Sequence, residues 1–233
     1  AVHSHTIPYF ASTALHGRCE PPATSGGTAS NSHCGRILYY IQPISKVLTW
    51  LRLKCDMKIF PLAVAAQLAS ISEGYLGVDL SSAASQSSFS CLVSQGYHFG
   101  VVRAWRQSGV VDANMASTVK NAWAGGFSYV DLYLFPCVTG SSCTSAASQV
   151  TSLHTYLTEN GVKYGMLWMD VEGPSYWHTN TADNRNFISS LVSTAKGLGM
   201  TVGMYTSNSQ WSPITDSWTG MSSLPLWYAH YDG

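Results

Sequence analysis

Apolar residues recur with two different periods along residues 73–233. Short apolar and β-branched runs alternate with longer segments in which the apolar residues follow a helical spacing. The short runs predict six strands, at residues 75–80, 99–105, 129–136, 166–172, 201–206 and 224–231. The longer segments predict helices at residues 83–95, 114–124, 146–159 and 183–198, with a weaker helical pattern at 208–223. Gly161 and Gly199 stand where two of these helices should end.

Repeated strand–helix units are typical of a parallel sheet covered by helices. They predict an α/β fold, namely an irregular (β/α) barrel of the TIM type in which about six of eight strands are present. A doubly wound open sheet is the alternative. No Gly-x-Gly-x-x-Gly or P-loop sequence follows a predicted strand, which disfavours the nucleotide-binding versions of that sheet.

The first 72 residues do not share this alternation. Residues 1–56 lack a sustained apolar period and contain scattered Gly, Pro, Ser and Thr, so we interpret them as an upstream segment outside the native domain. Residues 57–72 combine a basic start at Lys58, a short apolar core and small residues at the exit, which is the pattern of a secretory signal peptide. A buried helix is the alternative, and the apolar run is too short to span a membrane. We therefore expect a mature domain at residues 73–233.

The composition favours a neutral ligand. Charged residues make up 10% of the chain, and 12 Lys+Arg balance 12 Asp+Glu. No run of basic residues is present, which argues against nucleic acid as a partner. A weakly charged chain rich in Ser, Thr, Gly, Tyr and Trp suits carbohydrate better.

The six cysteines form no Cys-x-x-Cys pair and have no histidine at metal-ligand spacing, which disfavours a zinc site. Cys137 and Cys143 enclose a short stretch of turn-forming residues. We expect these two cysteines to form a local disulfide in an oxidising compartment.

The strongest chemical signal is a pair of carboxylates. Asp170 and Glu172 stand two residues apart at the end of a predicted strand, so their side chains face the same way with Cα atoms roughly 6.6 Å apart. Asp79 ends the first predicted strand at the same level of the barrel, where active sites of this fold lie. Paired carboxylates near aromatic rings are what glycoside hydrolysis requires. Alternatively Asp79 caps the next helix, and Asp131, which begins its strand, is expected to be structural.

Six motifs occur in order and at suitable spacing: Gly-Val-Asp-Leu-Ser at 77–81, Phe-Gly-Val-Val-Arg-Ala at 99–104, Asp-Leu-Tyr-Leu-Phe-Pro-Cys at 131–137, Trp-Met-Asp-Val-Glu at 168–172, Gly-Met-Tyr-Thr-Ser at 203–207 and Leu-Trp-Tyr-Ala-His-Tyr at 226–231. Each motif alone is weak, and together they are specific. Through them, residues 75–231 resemble the glycoside hydrolase family 25 lysozymes, particularly the secreted animal type found in nematodes.

The resemblance implies hydrolysis of the β-1,4 bond between N-acetylmuramic acid and N-acetylglucosamine in bacterial peptidoglycan, with no cofactor or metal. It implies that Glu172 is the general acid, Asp170 the neighbouring carboxylate and Asp79 the aspartate of the groove. It does not decide whether Asp170 is a nucleophile or assists the acetamido group of the substrate. The residues implied to contact sugar are Tyr133, Tyr205, Trp227 and Tyr231.

The resemblance also implies that two further strands and another active-site aspartate follow Tyr231, so we expect the catalytic domain to be truncated at its C-terminus. The expected protein is a monomer without stable membrane insertion. It would be secreted to the extracellular space, the gut lumen or a lysosome, and would act in bacterial digestion or innate defence.

The sequence leaves two alternatives to this function. A chitinase-like hydrolase needs further acids four and seven residues before its catalytic Glu, and this chain has Trp168 and Gly165 at those positions, which disfavours it. The other is a non-catalytic carbohydrate-binding barrel that keeps the aromatic groove but does not hydrolyse.

Overall fold

The computed structural model describes residues 9–13, 37–41 and 75–229, with side chains from residue 76 onward. Its strands are β1 (Tyr9–Thr13), β2 (Ile37–Ile41), β3 (Tyr75–Leu80), β4 (Tyr97–Arg106), β5 (Val110–Val111), β6 (Tyr129–Leu134), β7 (Leu167–Asp170), β8 (Val202–Thr206) and β9 (Leu226–Tyr228). Its α-helices are α1 (Gln86–Ser94), α2 (Met115–Ala124), α3 (Ala146–Glu159), α4 (Thr181–Gly197) and α5 (Asn208–Thr215).

Six strands run parallel, in the spatial order β3, β4, β6, β7, β8 and β9. They alternate with helices along the chain and form a curled half-barrel. Taken alone, these six strands leave the barrel open between β9 and β3. This confirms the predicted fold class and the predicted six strands of an incomplete (β/α) barrel.

The sequence pattern did not predict β1, β2 or β5. β5 pairs antiparallel with the end of β4. β1 pairs parallel with β9, and β2 pairs antiparallel with both β1 and β3. The two short strands therefore bridge the opening between β9 and β3. They belong to the segment that the sequence pattern places upstream of the domain. The domain boundaries themselves stay a prediction, and the predicted signal peptide, residues 57–72, lies outside the described residues.

The larger hydrophobic core lies between the outer face of the sheet and the helices. Alternate strand residues supply one side of it, including Leu132 and Leu134 of β6 and Leu167 and Met169 of β7, all fully buried. Strand side chains alternate between the two faces of a sheet, so their neighbours in sequence point the other way. The helices supply the opposite side through one apolar stripe each.

A second, smaller core fills the inside of the half-barrel. It consists of Phe99, Val101, Trp168, Tyr205, Trp227 and Ala229. The rings of Trp168 and Tyr205 both meet Trp227 edge to face, with centroids 6.0 and 4.4 Å away respectively. Gly203 makes room for this packing, since a Cβ there would lie 2.4 Å from the Trp168 ring. The interior is thus a packed aromatic core, and any open site must lie at one end of the strands.

Candidate active site

The three predicted carboxylates meet at the carboxyl end of the parallel strands. Asp79 is the penultimate residue of β3, Asp170 is the last residue of β7, and Glu172 follows two residues later. Asp170 pairs in register with Tyr205 of β8, on the inner face of the sheet. Its side chain is buried, with 3% of the residue exposed, whereas Asp79 and Glu172 are partly buried. The buried carboxylate therefore lies at the floor and Glu172 nearer the surface.

Tyr133 lies within the electrostatic field of all three acids. Burial raises the pKa of the Tyr133 hydroxyl above its usual value, and the Asp170 carboxylate raises it further. Asp79 and Glu172 act in the same direction, while the Arg103 guanidinium opposes them. Tyr133 is consequently a neutral hydroxyl at physiological pH, able to donate or accept a hydrogen bond among three acidic groups.

Arg103 brings a positive charge to the same end of the barrel. Its Nε donates to Asp112 at 2.8 Å, and its terminal nitrogen donates to the carbonyl of Ser81 at 2.9 Å. Asp112 in turn accepts from the backbone N–H of Asn114, immediately before α2. Arg103 thus ties the loop after Asp79 to the start of α2. The sequence assigned no role to this residue.

A cavity of about 410 Å³ opens beside Glu172. Its other walls come from the ends of β8 and β9 and the beginning of α5: Tyr205, Thr206, Ser207, Asn208, Ser209, Gln210, Tyr228 and Ala229. Apart from Glu172, the polar groups in this wall are uncharged hydroxyls and amides. Such a lining offers hydrogen bonds to a neutral polar ligand.

The backbone around Glu172 is held from three sides. The N–H of Gly173 donates to Oε1 of Gln210 at 2.8 Å, and the indole N–H of Trp177 donates to the carbonyl of Glu172 at 3.0 Å. Thr206 donates its hydroxyl to the carbonyl of Val171 at 2.8 Å. Gly173 has φ of 66°, a left-handed conformation that glycine adopts without strain. These contacts fix the backbone position from which the side chain of Glu172 projects.

Known proteins resemble this chain in sequence and in fold. The family model described as "Lysozyme-like protein 1" matches residues 71–233. The chain belongs to the glycoside hydrolase family 25 lysozymes. It is 48% identical over 157 residues to "Probable GH family 25 lysozyme 2" of Dictyostelium discoideum, covering 67% of this chain and 72% of that protein.

A second relative and a solved structure also resemble this chain. "Lysozyme-like protein 5" of Caenorhabditis elegans is 38% identical over 178 residues, which cover 76% of this chain and 82% of that protein. The solved structure of a muramidase from Trichobolus zukalii shares the fold, with a TM-score of 0.54, 19% identity, and coverage of 67% of this chain and 77% of that one. By its family, the lysozyme is a glycoside hydrolase.

The predicted sugar-contacting residues lie in different surroundings in the lysozyme. Tyr205 borders the cavity, and Tyr133 lies near the carboxylates. Trp227 is 2% exposed and packs against Tyr205 and Trp168 in the interior. Tyr231 lies outside the described residues. Sugar contact by any of them stays a prediction.

Sequence reasoning missed several residues of the cavity wall, above all Gln210 and Tyr228. Tyr228 ends β9, and its hydroxyl oxygen accepts from the backbone N–H of Asn208 at 3.4 Å. One available signal was the run of polar residues at 207–210, directly after a strand whose carboxyl end faces the site. The weak helical pattern at 208–223 does not by itself mark these residues as part of a site.

Asp131 lies near the amino-terminal end of β6, away from the carboxyl ends of the strands where the other three acids lie. It accepts from the backbone N–H of Met166 at 2.8 Å and from the indole N–H of Trp168 at 2.9 Å. Burial raises the pKa of its carboxyl group, while the two hydrogen bonds lower it. The expected structural role agrees with these contacts.

The predicted disulfide between Cys137 and Cys143 is present, with Cα atoms 5.2 Å apart. It closes a small loop after β6. Fully buried Gln149 of α3 supports this loop, accepting from the N–H of Cys137 and donating to the carbonyls of Cys137 and Thr144. The loop is thereby fixed at the same end of the barrel as the carboxylates.

Among the described residues, no cluster of three or more His, Cys, Asp or Glu side chains is arranged to hold a metal ion. In the same part of the chain, no helix has the length and apolar character needed to cross a bilayer.

Proposed function

We propose that this protein hydrolyses the β-1,4 bond between N-acetylmuramic acid and N-acetylglucosamine in bacterial peptidoglycan, which is the activity of a muramidase. The observation that carries the proposal is the position of Glu172. It borders a cavity lined with neutral hydrogen-bonding groups, and the buried Asp170 lies on the same face two residues earlier. A neutral, N-acetylated sugar suits the hydroxyls and amides of that cavity.

In this mechanism Glu172 is the general acid. It gives its proton to the glycosidic oxygen as the bond from that oxygen to the anomeric carbon breaks, and it later takes a proton from the water that attacks this carbon. Asp170 stabilises the positive charge that develops on the sugar, either by bonding to the anomeric carbon or by orienting the acetamido group of the substrate. Asp79 and Tyr133 would hold the sugar at the floor of the site.

We further propose that the lysozyme is secreted and acts on bacteria in digestion or defence. The disulfide between Cys137 and Cys143 supports this, since structural disulfides persist mainly in oxidising compartments. N-terminal sequencing of the product secreted by cells expressing the chain from Met57 tests it. We expect a first residue near Glu73, and a soluble secreted product that retains residues 58–69 would contradict the proposed signal peptide.

The test of the activity pairs lysis with binding. The turbidity of a bacterial wall suspension is followed with the parent protein and with Glu172→Gln, and both proteins are pulled down with the same walls. We expect Glu172→Gln to bind walls but lyse them at least about 100-fold more slowly, because the amide has no proton to donate. Glu159→Gln, at an exposed glutamate ending α3, is the matched control and should lyse normally.

Two outcomes would overturn the proposal. If Glu172→Gln lyses walls within a few-fold of the parent, Glu172 is not the general acid. If the parent itself binds walls without lysing them, the non-catalytic carbohydrate-binding alternative is favoured.

A further inference from the structure

An exposed aromatic ring stands close to Glu172, on a short 3-10 helix at Pro174–Tyr176. Tyr176 is 41% exposed, whereas the aromatic residues that pack inside the half-barrel are almost fully buried. It is four residues beyond Glu172 and does not belong to the wall of the cavity described above. Its position calls for an explanation other than core packing.

The ring of Tyr176 is fixed from two directions. It meets Phe135, which directly follows β6, edge to face with ring centroids 5.7 Å apart. It also lies against Gly173, where an added Cβ would come within 2.5 Å of the ring. Gly173 directly follows Glu172, so the ring lies close to the backbone of the proposed general acid.

The backbone that carries the ring is equally constrained. The carbonyl of Tyr176 accepts from the hydroxyl of Thr139, which belongs to the disulfide-closed loop, at 3.1 Å. The N–H of Tyr176 donates to the carbonyl of Gly173 at 2.8 Å. The next residue, Trp177, is buried, and its indole donates to the carbonyl of Glu172. The exposed ring is therefore held rigidly, which lowers the entropy cost of using it to bind a ligand.

Strand order places Tyr176 and the cavity on opposite sides of Glu172. Glu172 follows β7, and the cavity is built from β8, β9 and α5 on one side of that strand. Tyr176 contacts Phe135 and Thr139, which follow β6 on the other side. A linear ligand that enters the cavity and passes Glu172 would next meet the ring of Tyr176.

We propose that Tyr176 forms a separate glycan subsite, on which an N-acetylhexosamine unit stacks across Glu172 from the cavity. The inference rests on the proposed function, since a β-1,4-linked glycan strand is the linear ligand. The C–H face of such a sugar is apolar and covers an aromatic ring, which removes apolar surface from water. Binding of sugar units on both sides of Glu172 would let the enzyme hydrolyse internal bonds of a glycan chain.

The experiment measures wall binding in the Glu172→Gln background, so that lysis does not consume the ligand. Tyr176→Leu keeps an apolar contact with Phe135 but removes the flat ring, and Tyr176→Phe keeps the ring and removes only the hydroxyl. We expect Tyr176→Leu to need about five- to tenfold more wall for half-saturation and Tyr176→Phe to stay within about twofold of the parent. Tyr176→Ala should behave like Tyr176→Leu, and thermal unfolding shows that each variant is folded.

Tyr129→Leu is the matched control. Tyr129 begins β6 at the opposite end of the barrel and is 65% exposed. Its replacement should leave wall binding unchanged. In the active protein, Tyr176→Leu should raise the half-saturating wall concentration while the maximal lysis rate stays within about twofold.

The failure of this inference is distinguishable from failure of the proposed function. If the parent lyses walls but a folded Tyr176→Leu variant binds them as the parent does, or Tyr129→Leu loses as much, the subsite is refuted and the muramidase stands. If the parent does not lyse walls but Tyr176→Leu still weakens binding, the subsite stands and the proposed hydrolysis fails.

Discussion

The two faces of the parallel sheet are built from different kinds of residue. The outer face is aliphatic, as in Leu132 and Leu134 of β6, and is sealed by helices. The inner face combines aromatic rings with acids, as in Trp168 and Asp170 of β7. The first arrangement needs only apolar residues of suitable volume, whereas the second needs particular groups at particular positions.

The contrast is greatest within β7, where adjacent residues serve opposite faces. Met169 is fully buried in the outer core, and Asp170 is buried at the inner site. If the division is correct, replacing Met169 should cost stability and replacing Asp170 should cost activity.

Asp170→Asn should slow wall lysis by about 100-fold or more, because the amide cannot stabilise positive charge on the sugar as a carboxylate does. The free energy of unfolding should change by less than about 1 kcal/mol, since size and polarity are kept. Lysis kinetics and urea unfolding of the same preparation measure both. A variant that loses stability but lyses walls normally would break the comparison.

Met169→Ala should lower the free energy of unfolding by about 2–5 kcal/mol, because it leaves a cavity in a close-packed core. At a temperature where the variant is folded, its lysis rate should stay within about threefold of the parent. Urea denaturation gives the stability. A stable Met169→Ala variant with little activity would show that the outer face also shapes the site.

Replacing both Cys137 and Cys143 by Ser should lower the free energy of unfolding by about 2 kcal/mol, since the closed loop is short. We expect a modest rise in the half-saturating wall concentration, because Thr139 of this loop also supports Tyr176. The melting temperature of the double variant, and that of the parent protein with and without reductant, both measure the loss of stability. An unchanged melting temperature in both experiments would remove any stabilising role for the bridge.

Asp131→Asn should have the smallest effect. It should lower the free energy of unfolding by about 1 kcal/mol, because the amide oxygen can replace only one of the two carboxylate oxygens that accept hydrogen bonds. Burial raises the pKa of the Asp131 carboxyl in the folded state, so its contribution to stability is fully present below the unfolded pKa and declines as pH rises through the folded pKa. The parent should therefore exceed the variant in unfolding free energy by more at pH 4 than at pH 7. The opposite trend would mean that Asp131 is stabilised as an anion.

The periodic spacing of apolar residues, read locally along the chain, predicts most of the strands and helices. The strand at 75–80 and the helix at 146–159 have the predicted bounds. Capping residues explain two shifted helix starts: Ser85 accepts from the N–H of Ser88 before α1, and Asn180 accepts from the N–H of Ala182 before α4. The pattern of apolar residues does not reveal which polar residue provides the cap.

The missed strands β1 and β2 depend on contacts distant in sequence. β1 and β2 carry too little alternation to be recognised alone, and their partners, β9 and β3, lie far along the chain. The predicted last helix, 208–223, ends at Thr215, where Asp216 adopts a left-handed conformation.

The candidate site likewise contains residues that the sequence predicts and residues that only the folded structure reveals. Asp79, Asp170 and Glu172 could be found because parallel strands bring their carboxyl ends together. Gln210 could not, because its contact with Gly173 depends on how α5 folds over the end of β7. The ring of Tyr176 could not be placed either, since the left-handed turn at Gly173 sets its direction.

The central claim is that the acidic end of the inner face cuts one particular bond. It is tested most directly by identifying the new reducing ends released from purified peptidoglycan, by reducing the soluble products with borohydride and analysing them by mass spectrometry. A muramidase yields reduced N-acetylmuramic acid, and Glu172→Gln yields none. Products that end in reduced N-acetylglucosamine, or identical products from the parent and Glu172→Gln, would contradict the account.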